Sequence, residues 1–204
     1  KMQLLQSFQT PEGVYQAEPA EFGYFSGLTA QGRLALTQKD LAPYQAVLEY
    51  CQRENIHILT VSDAEYPRRL RNIYDPPLVL YYKGTFPQFD GAPAISIVGT
   101  RKSTAYGQSV AGRMGAEISA CGGIVVSGLA AGIDAAAMTG ALQTGRPTVG
   151  VLGTGVDVVY PRENRELFRR VEQCGCILSE FLPKTTGFKW NFPKRNRIIS
   201  GLSV

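Results

Sequence analysis

The sequence predicts an α/β protein: a Rossmann-like parallel sheet with helices on both faces, preceded by a small helical N-terminal domain. Three observations predict it. Four apolar runs (Ile95-Ser96-Ile97-Val98, Ile124-Val125-Val126, Thr148 to Leu152, and Cys176-Ile177-Leu178) start at residues 95, 124, 148 and 176, so 24 to 29 residues apart. Each is short and mostly apolar, the form taken by a strand buried on both faces. A stretch of helical length separates each from the next, and that alternation is the pattern of βαβ units.

In chain order, the first 55 residues read as short helices. Thr10-Pro11-Glu12 supplies a cap, a proline at the first helical position and an acid in the first turn. Asp40 is placed to cap a helix whose Leu41, Tyr44, Val47, Leu48 and Cys51 form one apolar face that should pack on something. From Asn55 the texture changes. Ile56 to Val61 reads as a strand, Asp63 to Leu70 as a short helix around Tyr66-Pro67, and Leu78 to Tyr82 as a strand ending at Gly84. The helical domain is therefore assigned to residues 1–55 and the Rossmann-like domain to residues 56–204. Between the regular strands lie helices over Gly107 to Cys121, Ile133 to Leu142 and Asn164 to Cys174, with Gly122 and Gly175 suited to C-terminal caps. The basic, helix-like stretch Pro193 to Leu202 would ordinarily lead into a further strand, so the second domain is read as truncated at its C-terminal end.

Composition bounds the function classes. The 204 residues are 44% hydrophobic and 19% charged, which excludes disorder, collagen and coiled coil. No run of about 18 apolar residues exists to span a bilayer, and the N-terminus lacks a signal peptide's charged start and apolar stretch, so the expected location is cytoplasmic with no membrane partner. The net charge of +4 is a mild excess that decides nothing by itself. Cys51, Cys121, Cys174 and Cys176 are too sparse for a disulfide scaffold, and with His57 the only histidine a closed zinc site lacks ligands. The same single histidine, at a strand start, leaves no Ser-His or Cys-His pair for nucleophilic catalysis.

Open parallel sheets bind ligands at the carboxyl ends of their strands, beside helix N-termini that favour anions. The loops there are Gly99-Thr100-Arg101-Lys102-Ser103, Ser127-Gly128-Leu129-Ala130-Ala131-Gly132-Ile133-Asp134, Gly153-Thr154-Gly155 and Ser179-Glu180-Phe181. Gly99, Ser127, Gly132, Gly153 and Gly155 are small enough for backbone amides to approach a phosphate. The spacing matches neither the dinucleotide fingerprint nor the P-loop, so no cofactor is assigned. Asp134, at a helix start, is expected to cap orphan amides.

Basic residues concentrate near that edge. Lys184, Lys189, Lys194, Arg195 and Arg197 occur with no acid among them and with Phe188, Trp190 and Phe192 interleaved. Cations neutralise phosphates while aromatic faces stack on bases, the combination that serves single-stranded nucleic acid. Arg101 and Lys102 join them from the first loop.

Taken together and in order, Ile97-Val98-Gly99-Thr100-Arg101, Tyr106-Gly107, Val126 to Asp134, Gly140-Ala141-Leu142, Gly153 to Asp157, Tyr160-Pro161, Leu178-Ser179-Glu180 and Phe192 to Leu202 resemble the bacterial DNA-processing protein A family, also called DprA or Smf. Asp75-Pro76-Pro77 to Gly84 resemble the family's approach to its Rossmann-like domain. The resemblance runs from about residue 56 to the end and implies a protein without catalysis that binds single-stranded DNA, loads the RecA recombinase onto it and protects incoming DNA in natural transformation, as a homodimer in the full-length protein. On the matching positions it implies DNA contacts at Arg101, the Gly128 loop, Lys194, Arg195 and Arg197, to which the charge reading adds Lys102. One departure stands out: Met138 and Thr139 occupy positions where the family usually has His and then often Arg. If that His faces the pocket, its ligand contact is missing here; if it packs in the core, Met138 is an adequate filler.

The competing reading is a nucleotide-binding or nucleotide-hydrolysing protein related to the phosphoribohydrolases. It requires Glu180 or Asp134 as a catalytic carboxylate, and neither sits in the Pro-Gly-Gly-x-Gly-Thr-x-x-Glu signature of those enzymes.

Overall fold

The computed structural model describes residues 2–204. The chain divides into two compact units, the first ending at Glu49 and the second running from Tyr50 to Val204. The division falls inside a helix rather than at its end near residue 55.

The first unit holds α1 (Met2–Phe8), α2 (Pro11–Gln16), a 3-10 turn (Glu21–Tyr24), α3 (Ala30–Thr37) and the start of α4 (Ala42–Arg53). Its helices are fixed by side-chain caps. Thr10 Oγ1 accepts from the Gly13 amide, Thr29 Oγ1 accepts from the Gly32 amide, both at 3.0 Å, and Asp40 Oδ1 accepts from the Ala42 amide at 2.9 Å. Leu4, Ala17 and Phe22 form its small core, with Phe8, Val14, Phe25, Leu28 and Leu36 packed against them. The apolar face expected to pack along α4 does so only towards its C-terminal end: Cys51 is buried, whereas Leu41, Tyr44 and Leu48 are exposed.

The second unit is built on a six-stranded sheet. Its elements are β1 (His57–Thr60), α5 (Arg68–Arg71), β2 (Val79–Gly84), β3 (Ala94–Ser96), α6 (Ala105–Ala120), β4 (Ile124–Ser127), α7 (Ile133–Ala141), β5 (Thr148–Val151), α8 (Arg165–Cys174), β6 (Cys176–Ser179) and α9 (Asn191–Gly201). The strand order is β1-β2-β6-β5-β4-β3. The four regular strands pair in parallel as expected, while β2 runs antiparallel to both β6 and β1, so the sheet is mixed and mostly parallel. The short helix expected over Asp63 to Leu70 is confined to Arg68–Arg71, because Asp63 Oδ2 instead accepts from the Thr60 amide at 2.6 Å and Pro67 begins the helix four residues later.

Period-two alternation assigns the faces. Ile97, Val125 and Ile177 point into a core built with Leu129, Ala137, Met138, Leu167, Phe168 and Val171, under α6, α7 and α8. The opposite side of β3 meets α9, where Ser96 Oγ donates to the Ile199 carbonyl at 3.0 Å. Ile198, Ile199 and Leu202 on that helix are buried. Met138 is fully buried in the first of these cores, so the residue that departs from the family pattern is an apolar filler.

Helices α6 and α7 pack backbone to backbone, and glycine is what permits it. A Cβ on Gly140 would stand 1.9 Å from the Gly112 carbonyl oxygen, and one on Gly115 would stand 2.1 Å from that of Ala137. The axis of α7 is thereby set, and with it the loop from Ser127 to Gly132 that leads into that helix.

Candidate nucleic-acid interface

The carboxyl ends of β3 and β4 open into a cleft of about 590 Å³ whose far wall is α9. Val98, Gly99 and Arg101 come from the loop after β3, Ala130 and Asp134 from the loop and helix start after β4, and Phe192, Arg195 and Arg197 from α9. A smaller recess of about 140 Å³ shares Arg101, Ala130, Phe192 and Arg195 with it and adds Tyr160 and Glu163. Arg101 lines both, and its guanidinium carbon lies 5.2 Å from the centroid of the Phe192 ring. That ring also lies 5.4 Å from the ring of Tyr160. An exposed cation against an aromatic wall offers charge and a stacking surface at one place.

The loops are held by an internal carboxylate. Asp134 is 4% exposed and accepts from the Gly99 amide through Oδ1 and from the Gly128 amide through Oδ2, each at 3.1 Å. It therefore joins the loop after β3 to the loop after β4. Its expected role, capping its own helix, is replaced by this bridge, since α7 starts from Gly132, which makes no side-chain cap. Ser127 Oγ donates to the Ile97 carbonyl at 2.6 Å and reinforces the same junction.

This arrangement corrects the reason for the small residues. The amides of Gly99 and Gly128 already donate to Asp134, and that of Gly155 donates to the Thr185 carbonyl at 2.9 Å, so none of the three is free for a phosphate. A Cβ on Gly128 would lie 2.5 Å from Nη2 of Arg195 and 2.7 Å from Oδ2 of Asp134. At Gly132 the backbone has φ +81° and a Cβ would meet the Thr100 carbonyl oxygen at 2.4 Å, so both conformation and space demand glycine. A Cβ on Gly153 would meet the Phe192 ring at 2.8 Å. These positions are small because the protein's own atoms approach them.

The cations divide into two groups. Arg195, expected among the phosphate contacts, is 5% exposed and turned inward: its Nη1 donates to the Gly128 carbonyl at 3.1 Å and to the Val151 carbonyl. Burial pulls its pKa down to about 10, with nearby Asp134 opposing, so it remains a cation at neutral pH. It neutralises the carbonyl ends of β4 and β5. A phosphate contact would require it to leave both carbonyls. Arg197 is tied to Glu180 at 2.5 Å and to Asp75 at 3.2 Å, and Lys194 pairs with Glu180 at 3.7 Å. Arg101, Lys102, Lys184 and Lys189 are exposed and form no ion pair among the described residues. The free positive charge lining the cleft thus comes from Arg101, with exposed Lys102 next to it in the same loop. Beyond Phe192 the loop continues with exposed Lys189, Phe188 and Trp190, the last 85% exposed.

The inward turn of Arg195 had a signal in the sequence. Arg195, Ile198, Ile199 and Leu202 fall at i, i+3, i+4 and i+7, one helical face, and all four are buried. The same phase puts Asp134 with Ala137, Met138 and Ala141. Val98, Tyr160 and Asn196 line the site from stretches that the family resemblance names, and Glu163 lines it with no sequence signal. The two carboxylates that the hydrolytic reading would need are engaged internally, Asp134 by two amides and Glu180 by Arg197. Among the described residues no group of three or more His, Cys, Asp or Glu is placed to hold a metal, and no helix is long and apolar enough to cross a membrane.

Comparison with known proteins bears on the same region. The family model described as DNA recombination-mediator protein A matches residues 57–204. The chain is 38% identical to Protein Smf of Synechocystis over 205 residues, covering 98% of this chain and 51% of that protein, and 42% identical to the DNA processing protein DprA of Bacillus subtilis over 157 residues, covering 77% and 53%. It spans about half the length of these curated relatives. The crystal structure of DNA processing protein A from Streptococcus pneumoniae superposes with a TM-score of 0.80 at 30% identity, over 99% of this chain and 69% of that one. A structure of DNA processing protein A from Helicobacter pylori, described for its unique single-stranded DNA binding mode, superposes with a TM-score of 0.66 at 30% identity, over 72% of this chain and 66% of that one. With a mixed, mostly parallel sheet, a basic cleft at its carboxyl edge and the family model spanning nearly the whole second unit, the chain belongs to the DNA recombination-mediator protein A (DprA/Smf) family.

Proposed function

We propose that this chain binds single-stranded DNA in the cleft between the β3 and β4 loops and α9, as part of a recombination mediator that does no chemistry on the strand. The observation that carries the reading is the free guanidinium of Arg101 lying against the Phe192 ring at the strand carboxyl edge. Membership of the family and the single-stranded DNA binding described for the H. pylori protein support it. In this reading Arg101 and Lys102 neutralise phosphates, with Lys194 recruited if its pairing with Glu180 gives way. Arg197, Arg195 and the Gly128 loop shape the wall. Loading of RecA, protection of incoming DNA in natural transformation, homodimerisation of the full-length protein and a cytoplasmic setting belong to the same proposal and rest on the family resemblance.

Fluorescence anisotropy with labelled oligo-dT across a salt series tests it, with matched duplex and mononucleotide competitors. Salt-sensitive binding that prefers the single strand is expected, because phosphate neutralisation and stacking dominate over base identity. Arg101→Ala is expected to weaken binding and to lower the salt slope by about one unit, the loss of one neutralised phosphate. Its fold should be unchanged, since the side chain is exposed. A slope equal to wild type removes Arg101 from the contacts. Binding of a mononucleotide with no binding of the oligonucleotide would favour the small-ligand reading.

A further inference from the structure

A second hollow of about 350 Å³ adjoins α9, lined by Ile73, Tyr74, Asp75, Arg197, Ser200 and Gly201. Arg197 and Ser200 also line the main cleft, so the two hollows adjoin at these residues of the helix. Phe192 and Ser200 are eight residues apart on α9, about 12 Å along its axis, which corresponds to three or four nucleotide steps of a stacked strand. At the far end stands Tyr74, whose ring is fully exposed. Its loop is not loose. Asp75 binds Arg197 at 3.2 Å, and Nη2 of Arg71 donates to the Asp63 carbonyl at 2.9 Å just before it. Pro76 and Pro77 follow directly. A large, fully exposed aromatic on a braced loop at the rim of the hollow is available for stacking.

We propose that Tyr74 is a second stacking platform, taking a base of a single-stranded nucleic acid that leaves the Arg101–Phe192 cleft across Arg197 and Ser200. This rests on the single-strand reading of the main cleft. The charge of the hollow specifies how the subsite works. Arg197 is matched there by Asp75 and Glu180, so little phosphate is neutralised and stacking supplies the affinity. Tyr74 therefore contributes in a way that depends on strand length and not on salt.

The experiment compares this chain with Tyr74→Ala and Tyr74→Phe, measuring competition by dT3 and dT12 against a labelled dT12 across the salt series. Tyr74→Ala is expected to weaken dT12 at least about fivefold, the low end for loss of one stacked base, with the salt slope unchanged. Its affinity for dT3, which the main cleft alone accommodates, should equal wild type. Tyr74→Phe, which keeps the ring, should retain wild-type affinity for dT12. Equal dT12 affinity for wild type and Tyr74→Ala overturns the proposal, as does an equal loss on dT3. So does a reduced salt slope, which would mean a charge effect. If Tyr74→Phe loses as much as Tyr74→Ala, the hydroxyl and not the ring is in play, and stacking is refuted. Failure of the wild-type chain to bind dT12 at any salt would sink the single-strand reading itself, and this proposal with it.

Discussion

Asp134→Asn is expected to cost about 3 kcal/mol of stability, the lower end for removing one partner of a buried charged cluster. For a chain of this size that corresponds to a fall in Tm of about 6 to 12 °C. The side chain is nearly isosteric, so the loss is electronic. The carboxylate accepts two amides, from Gly99 and Gly128. An Asn keeps one accepting oxygen and turns an NH2 donor towards the other amide, which then loses its partner and faces a second donor. The positive charge of Arg195 is at the same time left without its neighbouring anion. Urea or thermal unfolding measures the change. Adding Arg195→Met should recover part of it, because the uncompensated cation is removed. A single Asp134→Asn variant with wild-type Tm would mean that the bridge carries no structural weight.

The second large effect is a reversal of sign along one helix pair. In an exposed helix, Gly→Ala stabilises by about 1 kcal/mol. Gly140→Ala and Gly115→Ala are instead expected to destabilise by about 3 kcal/mol or more each, since the new methyl would overlap a backbone carbonyl that cannot rotate away. Gly112→Ala, on the same seam, is the control. Its methyl would lie 3.6 Å from the Ala136 carbonyl oxygen, an ordinary contact, so that variant should match or slightly exceed wild type. Denaturant midpoints for the three variants decide the matter. If all three behave alike, the seam is looser than the distances imply.

How much of this was legible in the sequence differs by element. The four regular strands were, because each is a short run buried on both faces and spaced by a helix. The antiparallel placement of β2 beside β6 was not, since Tyr81 pairs with Ser179 across nearly a hundred residues and nothing local encodes that neighbour. The helix ends at Thr10 and Asp40 were readable from the cap chemistry, while the start of α6 at Ala105 was displaced by two residues because no acid follows its Thr104 cap in the first turn. In the site, the loops and the cationic stretch were visible, but the allotment of charges was not. Arg101 and Arg195 are the same residue type, and only helical phase shows that one faces solvent and the other the sheet edge. Asp134 carried two expectations, a cap and a catalytic acid. Its partners, Gly99 and Gly128, lie on two separate loops that only the folded sheet brings together.

The self-satisfied amides of the β3 and β4 loops have a kinetic consequence. A cradle of fixed backbone donors would lock one phosphate in one register, as a nucleotide site does. Here the Gly99 and Gly128 amides are taken by the protein's own carboxylate, and the exposed cations that remain to grip a polyanion are long side chains on the rim. Such a surface has shallow minima spaced along the polymer, and each phosphate can replace the next with little barrier. A bound strand should therefore slip lengthwise through the cleft far faster than it lets go.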